Sequence, residues 1–119
     1  MTALLLVAHG SRRAASNDEI RALTDKLREQ AGARFDDVRC AFLELAEPSI
    51  PDGIEQCIQA GATDIRVLPY FLSAGRHVAE DIPEEVSGKR AEHPGVRIEV
   101  VSYLGLAESM PALLLSMAS

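Results

Sequence analysis

Apolar positions along the chain alternate between two periods. Leu4 to Ala8 is an unbroken apolar run of strand length, the pattern of a strand buried on both faces. Ser16-Asn17-Asp18-Glu19 has the form of a capping box. After it Ile20, Leu23, Leu27 and Ala31 recur at helical spacing up to a stop at Gly32. Val38 to Leu45 reads as a second strand. Ser49 then caps a second helix with Pro51 in its first turn and Ile50, Ile54 and Ile58 as its apolar stripe, ending at Gly61. Ile65 to Leu68 is a third strand, stopped by Pro69. The stretch from His77 to about Ala91 is helical in composition. Pro83 lacks an N–H, so regular helix is expected to begin close to it, with a looser turn before. Val96 to Val101 is a fourth strand, and Leu106, Met110, Leu113, Leu114 and Met117 give a last helix an apolar face.

Strand and helix in four successive units predict an α/β domain over residues 1–119. The expected form is a flavodoxin-like three-layer sandwich with a four-stranded, mostly parallel sheet. In its common order the first strand is flanked by the second and third. The chain length suits one domain, and no internal repeat or low-complexity linker divides it.

Composition narrows the function. A net charge of −6 repels phosphate backbones, and aromatics at 4% offer few rings for base stacking, so no nucleic-acid partner is expected. The first apolar run is too short for a membrane span and lacks a basic flank, which leaves a cytoplasmic location as the expectation. Cys40 and Cys57 match no metal or redox spacing and read as small apolar groups.

Sites in open parallel sheets form beyond the carboxyl ends of the strands. His9-Gly10-Ser11-Arg12-Arg13 follows the first strand, Glu44 and Glu47 follow the second, and Tyr70 to His77 follows the third. Adjacent strands are about 4.8 Å apart, so His9, Glu44 and His77 are within reach of one ion. Two imidazoles and a carboxylate suit Co²⁺, Ni²⁺, Fe²⁺ or Zn²⁺ and leave coordination positions open. Glu47 competes with Glu44 as the carboxylate. The third histidine, His93, precedes Pro94 and reads as an exposed loop residue.

Three segments carry a family resemblance: Leu-Val-Ala-His-Gly-Ser-Arg (6–12), Phe-Leu-Glu-Leu-Ala-Glu-Pro-Ser-Ile (42–50) and Leu-Pro-Tyr-Phe-Leu-Ser-Ala-Gly-Arg-His-Val-Ala-Glu-Asp-Ile-Pro (68–83). In order and spacing the chain resembles the sirohydrochlorin cobaltochelatases, a family that includes sirohydrochlorin ferrochelatases and archaeal nickel chelatases. The resemblance implies an ATP-independent enzyme with no organic cofactor, acting in cobalamin- or siroheme-type biosynthesis. Its substrates would be a divalent metal (Co²⁺ first, then Ni²⁺ or Fe²⁺) and a tetrapyrrole. It implies that His9, Glu44 and His77 hold the metal and act in catalysis. It also implies a single lobe that pairs as a homodimer. Around these residues Arg12 and Arg76 are placed to meet substrate carboxylates, Gly10 and Gly75 to let backbone approach a flat ring, and Ser11 and Tyr70 to line it. Two other functions use the same residues: a metal-dependent hydrolase with Glu47 or Glu80 as base, and a non-enzymatic metal or tetrapyrrole carrier. A histidine phosphatase is disfavoured, because Ala8 stands where that family has an Arg before His-Gly.

Overall fold

The structure, a computed structural model, describes residues 1–119. Strand β1 (Thr2–Ala8) leads to helix α1 (Ala14–Ala31), β2 (Asp37–Phe42) to α2 (Ile50–Gln59), β3 (Asp64–Pro69) to α3 (Ile82–Glu92), and β4 (Arg97–Val100) to α4 (Met110–Ala118). All strands are parallel in the order β2-β1-β3-β4. Strand one is thus flanked by strands two and three, the predicted flavodoxin-like arrangement. The register pairs Ala8 with Phe42 and Val7 with Pro69, so the carboxyl ends of β1, β2 and β3 finish level.

The principal core lies between the sheet and the α2/α3 layer. Ala3, Leu5 and Val7 of β1, Ile65 and Val67 of β3, Ile50, Ile54 and Cys57 of α2, and Ile82 and Val86 of α3 are all fully buried there. Burying a side chain such as Ile82 contributes roughly 1.5–3 kcal/mol, enough to anchor the turn that precedes it. Gly53 lets α2 sit tightly on β2, since a Cβ there would lie 2.8 Å from that of Ala41. Burial of Cys57 pushes its thiol up to about 11, so it serves as a small apolar group.

The opposite face is covered unevenly. Helix α1 packs against β2. Side chains alternate along a strand, so with Ile65, Val67 and Ile98 in the core, Asp64, Arg66, Arg97 and Glu99 share the other face. They form ion pairs: Arg66 Nε lies 3.4 Å from Asp64 and 3.7 Å from Glu99, and Arg97 Nη2 lies 3.3 Å from Glu99. That half of the face is built to meet water.

Four sequence expectations need correction. Ser16 is not a cap: α1 starts at Ala14, and Arg13 at its N-cap makes no side-chain cap bond. Asn17 takes over the local role, as described below. The second strand stops at Phe42, because Phe42 N–H donates to Pro48 O and Leu45 adopts φ +65°, turning residues 43–48 back as a loop. The apolar side chains of α4 find no core, and Leu113, Leu114, Leu115 and Met117 are all exposed. His93 is half-buried and bonded, not a free loop residue. Strand bounds also shift by a residue, since Pro69 closes β3 from within and β4 spans Arg97–Val100. Two other expectations hold. Ser49 caps α2 by accepting from Asp52 N–H. Residues 77–81 form the looser turn before Pro83, a wide π turn in which Ile82 N–H donates to His77 O.

Candidate metal centre

The parallel pairing of β1 and β2 does not end with the strands. Leu43 N–H donates to Ala8 O at 2.9 Å, and Glu44 N–H to His9 O at 3.0 Å. This ladder carries Glu44 alongside His9. The approach is so close that a Cβ on Gly10 would fall 1.7 Å from Glu44 O, and Gly10 itself adopts φ +94°. Glycine is required here on both counts. The result is His9 Nε2 standing 3.1 Å from Glu44 Oε1, with both side chains about half exposed. Two donors about 2.1 Å from a common ion stand roughly 3.0–3.4 Å apart in octahedral or tetrahedral coordination. This pair is already spaced as one edge of such a shell. Of the two candidate carboxylates, Glu44 therefore has the position at His9. Glu47 lines a separate cleft with Arg39, Asp52 and Glu55.

His77 arrives from the other flank of β1. Its ring centroid lies 4.8 Å from that of His9, with the planes tilted by 43°. Its Nδ1 is 2.8 Å from Asp81 Oδ2, one turn along the π segment. No choice of atoms yet places His9, Glu44 and His77 donors all within 4.8 Å of one another. Closing them on one ion takes rotation of the His9 and Glu44 side chains, which are both about half exposed.

The site is bordered by two clefts of different character. On the α3 side a cleft of about 420 Å³ is lined by Leu43, Glu44, His77, Asp81, Glu84 and Glu85. Glu85 Oε2 is buried in it without a hydrogen-bond partner. Burial pushes the Glu85 carboxyl up from its ordinary value, and the charges of Asp81 and Glu84 push it further. On the α1 side a cleft of about 610 Å³ is lined by His9, Gly10, Ser11, Ile20, Leu23 and Tyr70, among others.

The other predicted residues divide. Tyr70 is exposed at the α1-side cleft, whereas Phe71 packs against the core and Leu72 is open to solvent. Ser11 is held by its neighbours: its N–H donates to Asn17 Oδ1, its carbonyl accepts from Asn17 Nδ2, and its hydroxyl accepts from Arg13 N–H. Arg12 is exposed, and Arg76 pairs loosely with Glu80 at 3.8 Å on the surface. Gly75 has open space where a side chain would go. Asn17, Asp81 and Glu85 were missed from the sequence. Asn17 was hidden inside an apparent capping box, and Asp81 was visible only as His77 plus four.

A second group of donors lies away from the strand ends. Glu55, Glu92 and His93 present atoms within 4.8 Å of one another. Glu55 in this cluster is already occupied, since Lys89 Nζ donates to its Oε1 at 2.7 Å and His93 Nε2 lies 2.9 Å from the same oxygen.

Fold and site together define a class: a flavodoxin-like lobe carrying two imidazoles and a carboxylate beyond the carboxyl edge of its sheet. The CbiX family matches residues 3–119, and the chain belongs to that family. It is 35% identical over 108 residues to the sirohydrochlorin ferrochelatase of Bacillus subtilis, covering 91% of this chain and 41% of that one. It is 40% identical over 83 residues to the sirohydrochlorin cobaltochelatase of Methanocaldococcus jannaschii, covering 70% of this chain and 57% of that one. The chain thus spans less than two thirds of these curated relatives. Among solved structures, a CbiX protein from Marinobacter aquaeolei superposes with a TM-score of 0.79 at 30% identity over 99% of this chain and 92% of that one. The sirohydrochlorin chelatase SirB from Bacillus subtilis subspecies spizizenii, solved with cobalt, gives 0.83 at 34% identity over 98% of this chain and 50% of that one.

Proposed function

We propose that this chain is an ATP-independent chelatase that inserts a divalent metal ion into sirohydrochlorin or a closely related tetrapyrrole. The observation that carries the reading is the juxtaposition of His9 and Glu44, just past β1 and β2, with His77 from the turn before α3, within a chain of the CbiX family. Insertion exchanges two pyrrole protons for the ion. The residues must therefore hold the metal weakly, release it, and take up protons. Neutral imidazoles do the first two, and an exposed carboxylate beside them supplies charge and a proton acceptor. Co²⁺ is the favoured ion. Fe²⁺ is the second, on the strength of the ferrochelatase relatives.

Arg12 and Arg76 are proposed to meet substrate carboxylates, and their joint replacement by Ala should raise KM; an unchanged KM would remove them from the site. A homodimer is proposed because one lobe of this kind leaves one side of a flat macrocycle uncovered, which a second copy would close. The exposed apolar side chains of α4 fit the same view. Sedimentation showing only an active monomer at micromolar concentration would reject the pair. The function itself is tested by mixing purified protein, sirohydrochlorin and Co²⁺, Ni²⁺ or Fe²⁺ and following the absorption spectrum. Faster conversion to the metallated spectrum than in buffer supports a chelatase. A bound tetrapyrrole spectrum with no acceleration identifies a carrier.

A further inference from the structure

We propose that Asp81 is a positioning residue that fixes the tautomer and orientation of His77, so that Nε2 is the nitrogen offered to the metal. The proposal rests on the metal-centre reading above and adds to it a residue outside the three expected ligands. Asp81 Oδ2 lies 2.8 Å from His77 Nδ1. A carboxylate only accepts, so the contact places a proton on Nδ1, and in the neutral imidazole the lone pair is then on Nε2. An imidazole held this way by a carboxylate is a better-oriented and more basic ligand than a free one.

The backbone explains why Asp81 is available. Residues His77–Asp81 form a single π turn closed by the bond from Ile82 N–H to His77 O. Ile82 is fully buried, and Pro83 follows it. The turn is pinned at its end by the core, and its final residue is set against the imidazole at its start. Wide turns of this kind recur at functional sites because they re-aim side chains. His9 has no such partner. Its Nε2 faces Glu44, a residue proposed to bind the same ion. The two imidazoles are therefore prepared differently: His9 shares its donor edge with a ligand, and His77 is aimed from behind.

The test uses ¹⁵N-labelled, metal-free protein in which long-range ¹H–¹⁵N spectra assign the protonated nitrogen of neutral His77. The expected result is an Nδ1–H tautomer in the parent and a shift toward Nε2–H in Asp81→Ala. Co²⁺ affinity in Asp81→Ala should fall about 10- to 100-fold. Asp81→Asn keeps an acceptor oxygen and should recover part of the Nδ1–H population and of the affinity. In insertion assays the KM for metal should rise more than kcat falls. An Nε2–H tautomer in the parent overturns the proposal, as does unchanged Co²⁺ affinity in Asp81→Ala. The His77→Ala protein separates the two levels. If it binds Co²⁺ like the parent, the ligand reading fails and this one with it. If it loses Co²⁺ while Asp81→Ala does not, only the role of Asp81 is rejected.

Discussion

The molecule holds two groups of histidine and glutamate, and they differ in ways that bear on function. Glu55, Glu92 and His93 already converge within 4.8 Å, whereas His9, Glu44 and His77 do not. Convergence alone would select the first group. Yet there Lys89, almost completely buried, places its ammonium 2.7 Å from Glu55, so a cation of the protein's own fills the position a metal would take. The hydrogen bond from Lys89, followed by those from Gln59 and His93, holds the Glu55 carboxyl down at about 2. This is a structural clasp between α2 and α3. The strand-end group has no ammonium in contact with His9 or Glu44, is half exposed, and opens onto clefts on two sides. Readiness for a metal is thus a matter of uncommitted donors and access, more than of donor spacing.

The comparison breaks most severely at Gly10. Gly10→Ala places a methyl group 1.7 Å from Glu44 O at a backbone conformation alanine resists. The positive φ alone costs roughly 1–3 kcal/mol, and relief of the clash must move Glu44 off His9. Loss of insertion together with a clear drop in Tm is expected. A variant with parental Tm and activity would show that the close approach of the two loops is not needed.

A second substitution should make the two groups alike. Lys89→Met removes the ammonium and frees the Glu55 oxygen it occupies beside Glu92 and His93, so the protein should gain one equivalent of Co²⁺ or Zn²⁺ by calorimetry. Adding His93→Ala should remove it again. Unchanged stoichiometry in Lys89→Met would mean that the lysine is not what keeps metal out.

The smallest effect is on acid stability. The Glu55 carboxyl is depressed from about 4.5 to about 2 in the fold. The unfolded state therefore binds protons first on acidification, and stabilisation from this group is present above about pH 4.5 and lost as pH falls toward 2. Glu55→Gln should be less stable than the parent at neutral pH and should lose part of the acid-limb slope seen by circular dichroism. Insertion should be unaffected. Parallel acid limbs in the two proteins would contradict the assignment.

Much of this was legible from residue pattern, for identifiable reasons. Ser49 at the cap and Pro51 behind it act locally, so α2 was readable to within a residue. Pro83 announced the irregular turn before α3, because a missing N–H has the same consequence in any fold. His9, Glu44 and His77 were foreseeable as neighbours once strand order was assumed, since parallel strands of similar length end level. The rest depends on tertiary structure. Glu44 and Glu47 are distinguished only by the return of the chain at Leu45 and the ladder to His9. Ser16 has the form of a cap, but the side chain of Asn17 is drawn instead to the backbone of Ser11. His93 looked exposed because its partner Glu55 lies 38 residues away on another helix.

The central claim is that His9 and His77 present the metal. It is tested most directly by the rate of Co²⁺ insertion into sirohydrochlorin by His9→Ala, His77→Ala and Glu44→Ala, with circular dichroism confirming the fold. Both histidines are partly exposed, His9 just past β1 and His77 at the start of the turn before α3, so truncation should cost no more than about 0.5–1 kcal/mol of stability. Neither histidine variant should accelerate insertion beyond the uncatalysed rate, and Glu44→Ala should be impaired to a lesser degree. Parental rates in both histidine variants would contradict the site and the chelatase mechanism built on it.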